Sequence, residues 1–361
     1  MTTPFKNFFV SLGIAAGISC GMGFPFSARA QQPHPMEHPE HPMLKAQVLL
    51  VESIVLTERG LQDSSVIMKT VTDKLSEAGF SVVSAPDQPH DAVVRVKCEE
   101  RQKWTGPSTH RSTSPAPTSR LWKGPACHIS YRHGEQSPNW SWEVRTSFED
   151  TKAAAKAAGD SDAGTFALNA LNAQLQQADF PLFLAAEWEQ ADRLLMLFQK
   201  STDNIERQTT ILQLLGTLHS DKILKALKEA LTNPALTPTA LSSLGQQGEM
   251  AIPTLDSYLK TTTNSDHRLA AIQALGAIAT QCKAPALFTE FIKFLDSEDP
   301  KVQTEAVKGL GNLGDRRAIQ PLETLNLKAW TNPSTSPDMK ALREMLSWSL
   351  WQLSSGAHTG V

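Results

Sequence analysis

The sequence predicts an α+β domain followed by an all-α solenoid, which is a stack of similar helix pairs. In the first half of the chain, apolar residues alternate with polar ones, as they do in half-buried strands. In the second half, apolar residues recur every three or four positions, and a Leu-Gly pair returns at intervals of about thirty residues, as in helical repeats. With 361 residues, two domains are the expected number.

The first 30 residues have the layout of a secretory signal peptide. Lys6 precedes an apolar run, residues 8–18, that is too short to span a bilayer, and residues 28–30 (Ala-Arg-Ala) suit a signal peptidase. We therefore expect cleavage after Ala30 and a periplasmic or secreted protein with no transmembrane span. The alternative is a lipoprotein signal with the lipid on Cys20, although the usual Leu three positions earlier is absent.

Residues 31–46 are rich in His, Pro and Met, which is typical of a disordered linker. Imidazole and thioether groups together can hold copper, and imidazole alone nickel or zinc, so a metal-handling protein is one alternative. The groups in question belong to His34, Met36, His38, His41 and Met43. Because prolines separate them, we expect no fixed metal site, and deletion of residues 31–43 is expected to leave the melting temperature unchanged.

The α+β domain is predicted over residues 47–180. Residues 48–56 form a nearly continuous apolar run, as in a central strand, and Asp63 is placed to cap a helix that ends at Gly79. Further strands are indicated at 81–84, 92–98, 127–131 and 140–144, and a second helix at 168–175. The order β-α-β-β-β-β-α predicts two layers with a mostly antiparallel sheet, and Trp140 and Trp142 are expected in its core.

The cysteines predict one disulfide bond, between Cys98 and Cys127. Both fall on the apolar phase of consecutive strands, and consecutive strands are usually neighbours. Export would expose them to oxidation, although two buried thiols are the alternative. Cys282 is expected to stay reduced, buried on the second helix of its repeat.

A literal match to the dinucleotide-binding pattern GxGxxG occurs in the segment GLGNLG, residues 309–314. Such a loop needs a strand before it, whereas Val302, Ala306 and Leu310 recur every four residues, as in a helix. The match is explained by the repeated Leu-Gly pair, found at residues 215–216, 244–245, 275–276 and 310–311. Since glycine inside a helix costs about 1 kcal/mol relative to alanine, its recurrence predicts close helix–helix approach at each pair, including Gly276.

The segment DPKVQTEAVKGLGNLGDRRAIQPL resembles the HEAT-like repeats first associated with phycobilisome bilin lyases, and the resemblance covers residues 204–326. It implies a HEAT-like solenoid that binds other proteins. With a degenerate last unit, where Trp351 replaces the glycine, the helical repeats are expected over 204–355, after a connecting helix at 181–203. Trp348 and Trp351 are expected to seal the end of the stack.

The sequence predicts a scaffold and not an enzyme. We expect this scaffold to bind another protein of the cell envelope through the concave solenoid surface. We find no catalytic motif and expect no cofactor. The net charge of −3 gives no basis for nucleic-acid binding. A second candidate for partner binding is the Ser/Thr/Pro-rich loop at residues 104–120. Because the resembling family includes lyases, a tetrapyrrole lyase is the enzymatic alternative, although export argues against it.

Overall fold

The computed structural model describes residues 40–100 and 124–355. The chain divides into two compact units, which are described separately below. The described residues of the N-terminal unit run from 40 to 218, and those of the C-terminal unit from 219 to 355. The predicted fold class is confirmed: a mixed α/β region is followed by an all-α region.

The N-terminal unit is built on a mixed sheet with the strand order β2-β1-β4-β5-β6, in which β3 also pairs with β1. The strands are β1 Val48–Thr57, β2 Gly60–Gln62, β3 Ser81–Val83, β4 Ala92–Glu99, β5 Ala126–Arg132 and β6 Ser141–Arg145. The central pair, β1 and β4, is parallel, and so is β1 with β3. The sequence did not indicate the short β2 or these parallel pairs, which a helical crossover after β2 makes possible.

Helices cover one face of this sheet. The helices of the unit are α1 Ser65–Glu77, α2 Thr151–Ala157, α3 Ala163–Gln177, α4 Phe180–Glu187, α5 Ala191–Lys200 and α6 Ile205–Gly216. Helix α1 packs against β1 and β3, and α3 packs against α1 and β6. The core lies between these layers and includes Val55, Leu75, Val94 and Ile129. On the opposite face of the sheet, the Arg95 and Lys97 side chains are each 51% exposed.

The connecting helix expected at 181–203 is two helices, α4 and α5, with a break at residues 188–190. Glu189 has a positive φ of 56°, which no helix interior contains. The break places Trp188 in the core, where its ring lies 5.6 Å from that of Phe80 and 5.1 Å from that of Tyr131. The apolar pattern of residues 181–200 continues through the break, so the sequence does not indicate it. The break follows from the tertiary contacts of Trp188.

The described residues begin inside the segment that the sequence assigns to a linker. Met43 is only 1% exposed, and its carbonyl oxygen accepts a hydrogen bond of 2.9 Å from Nε2 of Gln190. The same nitrogen bonds the carbonyl of Ala46 at 2.9 Å. Residues 43–46 therefore pack as part of the N-terminal unit.

The C-terminal unit is a series of helix pairs. Its helices are α7 Asp221–Ala230, α8 Thr237–Gln246, α9 Ile252–Thr261, α10 Ser265–Cys282, α11 Leu287–Leu295, α12 Pro300–Leu313, α13 Ile319–Thr331 and α14 Pro337–Ser355. Short side chains begin several of them: Asn264 accepts from the backbone N–H of His267, and Asp299 from that of Lys301. Helix α6, where the predicted repeats begin, belongs to the N-terminal unit and packs against α4 and α5.

Two layers form the C-terminal unit. Helices α8, α10, α12 and α14 pack side by side, and we call them the helix row. Helices α7, α9, α11 and α13 each pack against the next member of the row. Cys282 is the last residue of α10, the first helix of its pair, and it is partly exposed. Its expected burial on the second helix is therefore wrong, because α10 extends further than the repeat pattern suggests.

Candidate protein-binding surface

Glycine lets the helices of the row approach one another at two of the predicted positions. A methyl group added at Gly245 of α8 would lie 3.0 Å from Cα of Ala274 in α10. One added at Gly311 of α12 would lie 2.7 Å from Oγ of Ser349 in α14. At Gly276 of α10, by contrast, an added methyl group meets nothing within 4 Å. The expectation of close approach is therefore wrong for Gly276, and each glycine depends on its own neighbours.

The GxGxxG match lies within a helix and its end. Gly309 and Gly311 are residues of α12, and Gly314 ends that helix with a φ of 72°. At Gly309, an added methyl group would lie 2.5 Å from Cζ of Phe291 in α11. All three glycines thus have packing or backbone reasons, and the strand that a dinucleotide loop requires is replaced by α12.

The exposed side of the row carries polar side chains that bond from one helix to the next. Nε2 of Gln273 in α10 donates to Oε1 of Glu305 in α12 at 3.1 Å. Seven residues further along each helix, which is about two turns, Nδ2 of Asn312 donates to Oγ1 of Thr280 at 2.7 Å. We define the row surface by these four residues together with Trp348 of α14. Trp348 packs beside α12, since its Cζ3 lies 3.3 Å from a methyl group added at Gly311, the residue before Asn312.

The turn between α12 and α13 contains an ion pair between Asp315 and Arg317. Hydrogen bonds from the Arg317 guanidinium, together with its positive charge, lower the pKa of the Asp315 carboxyl below its ordinary value. Oδ1 of Asp315 also accepts from the backbone N–H of Arg317 at 3.0 Å, which starts the turn into α13. The Arg317 guanidinium lies over the ring of Phe288, 4.4 Å from its centroid. This arrangement fixes the turn rather than presenting a free charge.

Large apolar side chains are exposed on the last two helices. Trp330 is 62% exposed, Trp348 42% and Trp351 65%, and Leu327 is exposed as well. The Arg343 guanidinium lies over the Trp330 ring at 5.4 Å and donates to the carbonyl of Asn332 at 2.8 Å. The expectation that Trp348 and Trp351 seal the stack is wrong, because the described residues leave both in contact with solvent. Exposed tryptophans of this kind are typical of protein-binding surfaces.

Comparison with known families agrees with this architecture. Residues 252–330, which span α9 to the penultimate residue of α13, match the family model described as HEAT repeats. Residues 252–330 of the C-terminal unit form a HEAT-like repeat segment. The resemblance predicted from the sequence is thereby confirmed for this segment, while the N-terminal domain is not recognised. HEAT repeats suggest a scaffold for protein interaction.

Two further comparisons add no functional information. No curated protein matches this chain. Among solved structures, the chain is similar to a crystal structure of an engineered protein from the Northeast Structural Genomics Consortium, with 19% identity and a TM-score of 0.34. The match covers 49% of this chain and 84% of the engineered one. A similarity at this TM-score supports no inference beyond the HEAT match.

The other candidate residues, two cysteines and two tryptophans, lie in the N-terminal unit. Cys98 and Cys127 face each other across β4 and β5, on the core side of the sheet, and the structure joins them with an S–S distance of 2.05 Å. Trp140 and Trp142 are half-buried rather than fully inside: the Trp142 ring stacks on that of Phe183 at 4.3 Å. These residues support the N-terminal unit and form no catalytic arrangement.

Two predicted binding segments fall largely outside the described residues. The loop at 104–120 lies wholly outside them, as do His34, Met36 and His38. Where the chain is described, no cluster of three or more His, Cys, Asp or Glu side chains is arranged to hold a metal ion. No helix among the described residues is long and apolar enough to cross a membrane.

One charged cluster was not predicted from the sequence. Nε of Arg95 and Nη2 of Arg132 both bond the Glu52 carboxylate, at 2.9 and 3.2 Å. Burial raises the pKa of this carboxyl, but the hydrogen bonds and charges of the two arginines outweigh burial, so the pKa lies below its ordinary value. The three residues come from β4, β5 and β1, and only the strand pairing brings them together. The sequence feature that could have indicated this cluster is the alternation of Arg95 and Lys97 with apolar residues.

Proposed function

We propose that this protein is an exported, non-enzymatic scaffold that binds another protein of the cell envelope through its HEAT repeats. The observation that carries this proposal is the exposure of Trp330, Trp348 and Trp351 within or beside the HEAT segment. Tryptophan is enriched among residues that dominate binding energy at protein interfaces. An indole that is exposed to water in the free protein contributes favourable binding free energy when a partner buries it.

The row surface supplies the polar part of the proposed interface. Its amide and carboxylate groups already bond across α10 and α12, so their positions are fixed before a partner arrives. Fixed polar groups beside a tryptophan match the usual composition of interfaces, in which aromatic anchors are bordered by polar side chains. We therefore place the partner over Trp348 and the neighbouring residues of α12.

Site-specific photocross-linking tests the binding surface. A photoreactive phenylalanine analogue is placed at Trp348, at Trp351 and, as the control, at Met250, which is 51% exposed elsewhere in the C-terminal unit. In intact cells, we expect the first two positions to yield the same cross-linked protein, identified by mass spectrometry, and Met250 to yield none. Equal cross-linking from all three positions, or none from Trp348 and Trp351, contradicts the proposed surface.

Export is supported by the pattern of the first 30 residues, with residues 28–30 as the cleavage signal. In a Gram-negative host, we expect periplasmic protein whose N-terminus is Gln31, and unprocessed protein when Ala30 is changed to Asp. A lipid-modified N-terminus at Cys20 would identify the lipoprotein alternative. Cytoplasmic protein that retains Met1 contradicts export.

A further inference from the structure

From the face of the N-terminal sheet that none of the described helices covers, we infer a second binding site, which binds a short acidic segment of a partner protein. Two adjoining depressions of about 370 and 290 Å³ lie on this face. They share Arg95, His128 and Ser130, so they form one continuous groove, which we call the sheet groove. Ile54 lies at its β1 end and Trp140 at the end formed by the β5–β6 connection.

Strand register builds the groove from residues that are distant in sequence. Glu52 of β1 lies opposite Arg95 of β4, which in turn lies opposite Ser130 of β5. The next row across the sheet joins Ile54, Lys97 and His128 in the same way. Because side chains alternate between the two faces of a strand, all of these residues point away from the helices. A rigid sheet therefore holds the polar groups in fixed positions.

The lining of the groove has more positive than negative charge. Arg95, Lys97 and Arg132 line it, whereas Glu52 is its one carboxylate among the described residues. Arg95 and Arg132 share that carboxylate, so one negative charge serves two guanidinium groups. The Lys97 amine lies 2.5 Å from Glu99, which is outside the lining. The groove therefore keeps an excess of one positive charge near Arg132.

Arg132 also has an unused donor. Its Nε is buried and has no hydrogen-bond partner among the described residues. A buried donor without a partner is costly, and a carboxylate is the acceptor that a guanidinium binds most strongly. Because Arg132 Nε is buried, an arriving carboxylate would bind the exposed part of the guanidinium, beside Glu52, and neutralise the excess charge; the Arg132 side chain is 35% exposed. The existing bonds to Glu52 show how such a group is bound.

Protein is the partner class that this groove favours. The hydroxyls of Ser130 and Ser141 and the indole of Trp140 suit a peptide backbone and its apolar side chains. A nucleic acid or an anionic membrane needs attraction over a wide basic surface, whereas the whole chain has a net charge of −3. A short acidic segment responds only to the local excess of positive charge.

Fluorescence anisotropy with synthetic peptides tests the inference. The probe is a fluorescein-labelled octapeptide of alternating Glu and Ser, and its counterpart has Lys in place of Glu. We expect saturable binding of the acidic peptide only. Arg132→Gln is expected to weaken it about tenfold, since a hydrogen bond to a charged group is lost. Glu52→Gln is expected to tighten it by roughly the same factor, since the competing carboxylate is removed.

The control removes a positive charge from the helix layer. Lys69 of α1 pairs with Asp73 at 2.6 Å, and Lys69→Gln is expected to leave the affinity unchanged. If Arg132→Gln does not fold, as judged by thermal melting, Arg132→Lys replaces it and is expected to weaken binding because the fork of donors is lost. Absence of saturable binding, equal effects of Lys69→Gln and Arg132→Gln, or weaker binding by Glu52→Gln would overturn the inference. Equal displacement of the peptide by single-stranded DNA or anionic vesicles would overturn the choice of a protein partner.

Discussion

Gly309 of α12 leaves the space that the Phe291 ring of α11 occupies: a methyl group at Gly309 would lie 2.5 Å from Cζ of that ring. Phe291 is completely buried, so other residues enclose its ring. The contact joins the second helix of one repeat to the first helix of the next. It shows why glycine is required in the middle of a helix that alanine would otherwise stabilise.

Gly309→Ala is therefore expected to destabilise the protein by about 1–3 kcal/mol, which is typical of overpacking. Gly276→Ala is the matched control, since nothing lies within 4 Å of the added methyl group. That change is expected to stabilise by up to about 1 kcal/mol, the difference in helix propensity. Urea unfolding measures both free energies. Changes of the same sign at the two positions contradict the packing described here.

The repeat architecture could be predicted because its period and its glycines are visible in the sequence. Which glycine is packed could not be predicted, since Gly276 and Gly309 differ only in what the neighbouring helix places beside them. Except for β2, the strands of the N-terminal unit were also visible, β1 as a continuous apolar run and β4, β5 and β6 through alternation. Their direction was not, because alternation is the same for parallel and antiparallel pairs.

Functional groups were harder to predict than elements. The sheet groove combines Glu52, Arg95 and Arg132 from three strands, and their meeting depends on pairing that no local pattern encodes. The break at Trp188 is similar, since it follows from what the indole contacts and not from the helical pattern around it. Trp348 and Trp351 were identified from the sequence as residues of interest, whereas Trp330 was not. The exposure of all three depends on what the last helices leave uncovered.

Stability in acid is expected to depend on Asp91. Hydrogen bonds from the backbone N–H groups of Val48 and Gln47 lower the pKa of its carboxyl below the ordinary value of 3.8. The ionised carboxyl therefore favours the folded state above pH 3.8, and this contribution is lost as the pH falls through the lower pKa of the folded state. Urea unfolding of Asp91→Asn should show a destabilisation at pH 7 that shrinks in acid.

Asp73→Asn is the control for Asp91, because it removes the same charge from an exposed i,i+4 pair with Lys69. Exposed ion pairs contribute little to stability, so the change in the free energy of unfolding caused by Asp73→Asn is expected to stay below about 1 kcal/mol at every pH. A destabilisation by Asp91→Asn that is the same at pH 7 and in acid would show that the two backbone bonds do not depend on the ionised carboxyl.

Met43 is expected to contribute to folding, although the sequence assigns it to a linker. It is 1% exposed, and truncation of a buried Met to Ala typically costs about 2–5 kcal/mol. Met68→Ala is the control on α1, where the side chain is 39% exposed and the change is expected within about 0.5 kcal/mol. Thermal melts of the two variants decide the matter. Equal melting temperatures of the two variants would show that residue 43 belongs to the linker and does not contribute to folding.

The disulfide between Cys98 and Cys127 is expected to form in the exported protein and to stabilise it. The two residues are opposite one another in the β4–β5 register, both are fully buried, and they lie 29 positions apart in the sequence. For a loop of this length, the chain-entropy model gives about 3–4 kcal/mol. The double change Cys98→Ala and Cys127→Ala should lower the free energy of unfolding by about this amount, while Cys282→Ala, at the partly exposed end of α10, serves as the control. Non-reducing peptide mapping should recover the two cysteine peptides linked, and separate alkylation of both would show that the protein keeps them as buried thiols.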